Sequence, residues 1–387
     1  MRVLIARDTS ELLPHKEAWD RLSRSCAHGV FGSAGWVLPW IEVYAPTSKL
    51  FCILFFDEND ELVGFVPTML VRKCHLTILK FIGSPLNDFN EILVVPEYQK
   101  KVCQLLFDIL YECGREWDVF DCEVISSAQM EQLRRCESRL ANFYYRQLYP
   151  VDSPVIDLPA TMHEYFSRMS NAWRHRFRGR LNKVCKSGAF SFAVLVDYDD
   201  IRPHIDQFEC CRLECWQKRN KSEELTALSQ GKAFLQFMHR VVEELTRTRS
   251  IAFPCLTCNG KVAAMGMYFR SPAGILNYMK SWNIDLVKFS PGTVLELRMI
   301  EYSIENGVKK FDFGRGNESY KYDFLARSVY LHHCVFGKKN IGGFFALGVF
   351  EFCEYSRCVL WGRLRRIYLR IHNELSSFLS CIPFGWR

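Results

Sequence analysis

Four residues close behind an apolar strand pattern carry groups that can move protons or hold an anion. They are Asp312, Arg315, Tyr320 and Lys321, all within FDFGRGNESYKYDF at 311–324. A carboxylate there can orient or deprotonate a nucleophile, a phenol can return a proton, and a guanidinium or ammonium can bind a phosphate or an anionic acceptor. Upstream, Ser290, Pro291, Gly292 and Thr293 open a helical pattern with a capping residue, a preset φ and a close backbone approach. The unpaired N–H groups of such a helix start suit a pyrophosphate. Glu214, near Trp216, adds a second carboxylate on an earlier helical pattern. Each feature also has a plain structural reading: helix capping at 290–293, a turn-stabilising acid at Asp312, packing at Tyr320, a solvated helix charge at Glu214.

Familiar labels for these residues fail on context. Asp312-Phe313-Gly314 spells the metal-binding triad of protein kinases, but no HRDLxxxxN loop precedes it and no glycine-rich GxGxxG strand turn lies upstream. GRGNESYK lacks the second glycine before its Lys that a phosphate-binding Walker loop requires. Cys255 and Cys258 form a lone CxxC with no second ligand pair at matching distance, so no metal is expected. Cys210, Cys211 and Cys215 sit on a helical pattern and read the same way.

The elements that must position these groups form a repeated series. Near the start, FCILFFDENDELVGFVPTMLV reads as a hairpin, followed by the strand LTILKFIG, a loop, the helix YQKKVCQLLFDILYECG and the strand DVFDCEVI. The same order returns with the hairpin SIAFPCLTCNGKVAAMGMYF around Asn259-Gly260, the strand GILNYMKSW, a loop, the helix GTVLELRMIEYSIENG and the strand KKFDFG. A period of roughly 200 residues is too long for a solenoid and indicates a duplicated domain. In this alignment Asp121 stands opposite Asp312, but the first copy lacks the glycines and the ESYK that follow. With 387 residues, two domains are expected: 1–150 and 151–340, then an apolar and basic tail at 341–387. The prolines 150, 154 and 159 suit the connection between the copies.

A hydrophobic fraction of 49% supports a sizeable core, and a net charge of +7 argues for a locally basic surface over a dedicated nucleic-acid binder, so no DNA partner is expected. The densest basic run is Arg174, Arg176, Arg178, Arg180, Lys183 and Lys186, on a segment (162–188) that reads as one helix. Its charges fall around the helix, either as a solvated surface or as a contact for a polyanion. The N-terminus shows no apolar signal core, so the seventeen cysteines read as free thiols in a reducing, cytoplasmic compartment. No stretch is long and apolar enough to span a bilayer. The pattern WGRLRRIYLRIHNEL at 361–375 sets apolar residues against Arg363, Arg366 and Arg370, which suits docking on the protein or a peripheral contact with the inner face of the membrane.

Three motifs in order, FGSAGW (Phe31, Ser33, Trp36), LECWQK (Glu214, Trp216) and SPGTVL…FDFGRGNESYK, resemble the BioF2-like acetyltransferase family. This is a double-domain branch of the GNAT superfamily, related to the FemAB-type transferases and to proteins of the CelD-like polysaccharide biosynthesis group. LECWQK departs from the family pattern, with Gln217 where Lys is usual and Lys218 one position on. The resemblance covers about residues 15–335. It implies an α/β fold of two tandem GNAT-like domains, each a mixed, mostly antiparallel sheet flanked by helices, with a C-terminal helical tail. It further implies an N-acyltransferase that uses acetyl-CoA or a longer acyl-CoA, held at Ser290, Gly292 and Thr293. Glu214, Asp312 and Tyr320 are the expected catalytic residues, and Trp216, Arg315 and Lys321 the expected substrate contacts. The acceptor would be an amine, or less readily a hydroxyl, of a small molecule or of a sugar or envelope precursor. A FemAB-like donor, aminoacyl-tRNA, and a non-catalytic scaffold role are the alternatives.

Overall fold

Apolar runs punctuated by turn residues become strands, and their breaks fall where the backbone chemistry requires. The structure, a computed structural model, describes residues 1–186, 190–218, 227–229 and 231–356. Its strands in the first half are β1 (Arg2–Ala6), β2 (Lys49–Leu50), β3 (Cys52–Phe56), β4 (Leu62–Val66), β5 (Thr68–Lys73), β6 (Leu76–Phe81), β7 (Leu93–Val94), β8 (Val119–Ser126) and β9 (Phe143–Gln147). Those of the second half are β10 (Val151–Asp157), β11 (Phe190–Leu195), β12 (Ile251–Cys258), β13 (Lys261–Ser271), β14 (Gly274–Trp282), β15 (Lys310–Asp312) and β16 (Arg327–Lys338). The helices of the first half are α1 (Lys16–Ser25), α2 (Ala34–Tyr44), α3 (Gln99–Glu112), α4 (Ser127–Arg134) and α5 (Glu137–Leu140). Those of the second are α6 (Met162–Ser167), α7 (Asn171–Lys186), α8 (Tyr198–Ile201), α9 (Ile205–Lys218), α10 (Gly231–Arg247), α11 (Pro291–Glu305) and α12 (Ser319–Tyr322). A last helix, α13, occupies 341–356.

The strands form a four-stranded sheet, β1-β3-β4-β7, and a twelve-stranded sheet in the order β11-β12-β13-β14-β15-β10-β16-β8-β6-β5-β2, with β9 beside β16. Pro67, which has no N–H for a ladder, separates β4 from β5 and lets the chain pass from one sheet to the other. The expected division near residue 150 falls between β9 and β10, and both of these pair with β16. One sheet therefore runs through both halves. A shared core lies between them, where Trp36 of α2 meets Phe237 of α10 and Phe269 of β13 edge-on.

Each copy holds the expected series: β6, α3, β8 in the first and β14, α11, β15 in the second. The β12–β13 turn has Asn259 and Gly260 both at positive φ, and α11 stops before Gly307, also at positive φ. One expected helix is two. The segment 162–186 breaks after α6, and Arg174 of α7 donates to the carbonyls of Phe166, Ser167 and Met169, so the first residue of the basic run caps the end of α6. Among the described residues no helix is long and apolar enough to cross a membrane. The amphipathic pattern at 361–375 lies outside the described residues.

Candidate active site

The centre of the second copy is a wedge. β14 and β15 run parallel but share only two pairs, Ile275↔Phe311 and Leu276↔Asp312. Beyond them β14 continues to Trp282, whereas the chain after Asp312 bends toward β10, where Phe313 N–H donates to Pro154 O and Gly316 N–H to Asp152 O. Gly314 and Gly316, at φ +67° and +113°, make that bend possible. Any Cβ on Gly314 would fall 2.4 Å from Asp88 Oδ2.

At the foot of the wedge α11 begins. Ser290 has a left-handed backbone, and its carbonyl, not the expected hydroxyl, takes the N–H groups of Thr293 and Val294. Gly292 lies so close to the Trp282 ring that a Cβ would come within 3.0 Å of it. Two cations of α7 reach the same place: Arg180 donates to Thr293 Oγ1 at 3.3 Å and Lys183 to Lys288 O at 3.0 Å. The start of this fifteen-residue helix is thus flanked by two cations, a setting that favours negative charge.

Inside the wedge sits a buried polar group that the sequence did not bring forward. Glu296 of α11, fully buried, accepts from Tyr268 Oη at 3.0 Å, from Asn277 Nδ2 at 2.7 Å and from Lys280 Nζ of β14. Lys280 also lies 4.2 Å from the centre of the Tyr320 ring. Burial opposes the charge on Lys280, but Glu296 and Tyr320 outweigh it and its pKa is raised. Burial raises the Tyr320 phenol, and Lys280 pulls it back. The sequence signal was a lone acid within the apolar run VLELRMI of α11.

Asp312 ends β15 on the other face of the sheet. Its Oδ1 accepts from Ser153 Oγ at 2.9 Å and from Gly314 N–H at 2.8 Å. Burial pushes its carboxyl up to about 6, and those two donors limit the rise. It opens on a pocket of about 120 Å³ shared with Ser153, Leu276, Lys310, Arg327 and His28 of the first half. His28 stacks on Phe89 at 3.8 Å, and burial holds its imidazole down to about 4. Its backbone N–H donates to Glu91, whose carboxyl burial lifts to about 7.

Arg315 and Lys321 build the site's walls. Arg315 donates to Pro85 O and lies 3.8 Å from Asp88, which burial lifts to about 6. Lys321, 2% exposed, donates to the carbonyls of Gly314, Arg315 and Gly316 and meets Glu318 at 2.9 Å. In place of the expected ligand contact, its ammonium ties the glycine turn shut. FGSAGW supports the same region: the Trp36 indole donates to Asn87, and Asn87 in turn holds Ile82 O and Asn90. Glu214 and Trp216 lie on α9, which packs on β14, and Cys215 between them donates to Trp282 O at 3.1 Å. There the Glu214 carboxylate takes the Cys210 thiol one turn back at 3.7 Å, and the Trp216 side chain is half-buried. Tyr320 thus lies with Lys280 and Glu296 on the α11 face, Gly292 lies against Trp282 at the far end of β14, and Asp312 faces a separate pocket on the opposite face.

Residues 171–322, which contain α7, the wedge and α12, match the family described as Acetyltransferase (GNAT) domain. This part of the chain is similar to a GNAT domain. Solved structures extend the likeness over both halves. FemX aligns at a TM-score of 0.60 with 10% identity, over 86% of this chain and 97% of its own. The C-terminal domain of a putative lysylphosphatidylglycerol synthetase from Agrobacterium fabrum aligns at 0.55 with 12% identity, over 87% and 95%. L-PGS from Bacillus licheniformis aligns at 0.53 with 12% identity, over 88% and 95%. At such identities the likeness concerns the fold alone, and that fold is the expected α/β one. No curated protein sequence matches significantly.

Proposed function

We propose that this tandem GNAT protein is an acyltransferase that takes an acyl group from acyl-CoA in the β14/β15 wedge. The acceptor is an amine, or less readily a hydroxyl, of a cell-envelope or polysaccharide precursor. The observation that carries the reading is the start of α11, with Gly292 at the wedge and Arg180 and Lys183 beside it. Those groups suit the donor's phosphates. The bound donor would supply a thioester carbonyl, and the chain's own residues would do the rest. Asp312, facing the small pocket between the halves, takes the proton of the attacking amine; a carboxyl lifted to about 6 is a usable base near neutrality. Tyr320, kept beside the Lys280 ammonium, returns a proton to the leaving thiolate. His28 and Phe89 close the pocket from the first half, so acceptor choice involves both copies.

A second reading, aminoacyl-tRNA as donor, draws on two arginines of α7. Arg176, stacked on Trp173 at 4.1 Å, and Arg178 are exposed on the helix that flanks the wedge. Calorimetric titration with CoA, acetyl-CoA and tRNA separates the readings. Saturable CoA binding supports the first. Steeply salt-dependent tRNA binding without CoA binding replaces it with the second, and silence from every donor contradicts both in favour of a scaffold role.

A further inference from the structure

α13 divides its residues sharply between two faces. Inward, Ala346, Leu347 and Phe350 close on Ile78, Val119 and Val335 of the large sheet. Both of its acids are neutralised against the protein: Glu351 lies 3.6 Å from Arg146, and the buried Glu354 3.0 Å from Lys73. Outward, Ile341, Phe345, Phe352 and Tyr355 are 78%, 65%, 71% and 66% exposed, and Phe344 and Val349 are open beside them. These positions recur at three- and four-residue steps, which keeps them on one stripe of the helix. A groove of about 350 Å³ runs between this stripe and Arg146.

Isolated exposed apolar residues need no explanation, but a continuous aromatic stripe over four turns marks an interaction surface. Its surroundings choose the partner. The acid at its edge, Glu351, lines the groove and is paired with Arg146, and Lys339 is exposed just before the helix. The chain continues for residues 357–387 with six arginines against the single Glu374, and with Trp361, Tyr368, Phe378, Phe384 and Trp386. A protein partner or a second copy would be matched by apolar shape alone. An aromatic stripe whose bordering acid is paired, followed in sequence by unmatched arginines, matches the interface of an anionic bilayer, where aromatic side chains insert at headgroup depth and each cation adds attraction.

We propose that α13 lays the protein on an anionic membrane surface, with Ile341, Phe345, Phe352 and Tyr355 in the headgroup region. None of these residues belongs to the donor site, so failure of the surface and failure of the donor assignment are separate events. The test is flotation of the full chain with vesicles of phosphatidylcholine, alone or with about one third phosphatidylglycerol. The wild type is expected to float with the anionic vesicles about tenfold more than with the neutral ones, and high salt should weaken this. Phe345→Glu with Phe352→Glu is expected to cut that binding about tenfold while leaving the melting temperature and CoA affinity unchanged, since both side chains are exposed. No flotation of the wild type, or equal flotation of the double variant, would overturn the proposal. So would a lowered melting temperature or a dimer-to-monomer change in the variant, because the stripe would then be covered by the chain's own tail or by a second copy.

Discussion

The first copy holds a wedge of the same kind, and comparing the two shows what makes one of them a site. β6 and β8 run parallel through Ile78↔Val119, Leu79↔Phe120 and Lys80↔Asp121, so that, as at Asp312, the last pair ends on an aspartate. There the likeness stops. In the first copy the loop after β6 returns into the gap: Asn90 N–H donates to Val124 O and its side chain to Glu123 O, closing the edge of β8. The second copy sends its chain away to β10, and among the described residues no such bonds plug its gap. Asp121 is locked to His333 at 2.7 Å on a buried face near α13, whereas Asp312 lines a pocket. The helix starts differ too: α3 follows Pro96-Glu97-Tyr98 and opens with its own Lys100 and Lys101, whereas α11 has Gly292 in place of the acid and takes its cations from α7. An acid there opposes a phosphate, and a glycine leaves room for one. A duplicated topology therefore supplies two wedges, and the residues that fill or flank each decide which one can work.

Paired substitutions probe that difference, and the largest effect belongs to the aspartates. Asp312→Asn is expected to lower turnover about 10²–10⁴-fold, measured by thiol release from acetyl-CoA, because it removes a general base. Asp121→Asn should leave turnover unchanged. The wild-type rate should fall as pH drops through about 6, where Asp312 gains its proton, and Asp312→Asn should erase that limb. The same raised pKa fixes a stability effect of known sign. The carboxyl's contribution is complete below its ordinary value of 3.8 and is lost as pH rises through about 6. The Asn variant should therefore gain stability relative to the wild type as pH climbs to neutrality, a trend that urea titrations at several pH values would reveal or refute.

Next in size is Gly292→Glu, which sets a carboxylate at the α11 start and a Cβ against Trp282. It should weaken CoA binding about 100-fold or more by calorimetry with the fold retained, since like charges brought together at a binding surface cost several kcal/mol. Unchanged affinity would remove Ser290–Thr293 from the site. Arg180→Ala with Lys183→Ala should weaken CoA about tenfold, and less in high salt, as charge-assisted contacts do. Smallest in function is Asn90→Ala, in the plug of the first wedge. It should cost about 1–3 kcal/mol of stability by leaving buried partners unsatisfied, with CoA affinity unchanged. A second CoA site appearing in that variant would mean that the plug alone silences the first copy.

Much of this frame was legible in the sequence because it rests on local chemistry. Asn259-Gly260 fixed a hairpin, Gly307 closed α11, and the repeated series placed Asp121 opposite Asp312. What escaped depends on contacts that only the folded chain makes. Glu296 and Lys280 meet because α11 packs beneath β14. Lys321 resembles a ligand-binding cation until Gly314 and Gly316 adopt positive φ and turn three carbonyls onto it. Arg174 looks like part of a polyanion contact, but a break in its helix makes it a cap. His28, Asp88 and Glu91 reach the second copy's site from the first half, across separations in sequence that no local pattern encodes.

The central claim is that the second wedge takes the donor and the first does not. Hydrogen–deuterium exchange of the full chain with and without saturating CoA tests it most directly, because it reads both wedges in one experiment. Protection is expected at residues 277–296 and 313–322, with residues 78–100 unchanged. CoA-dependent protection at 78–100, or its absence at 277–296, would contradict the account.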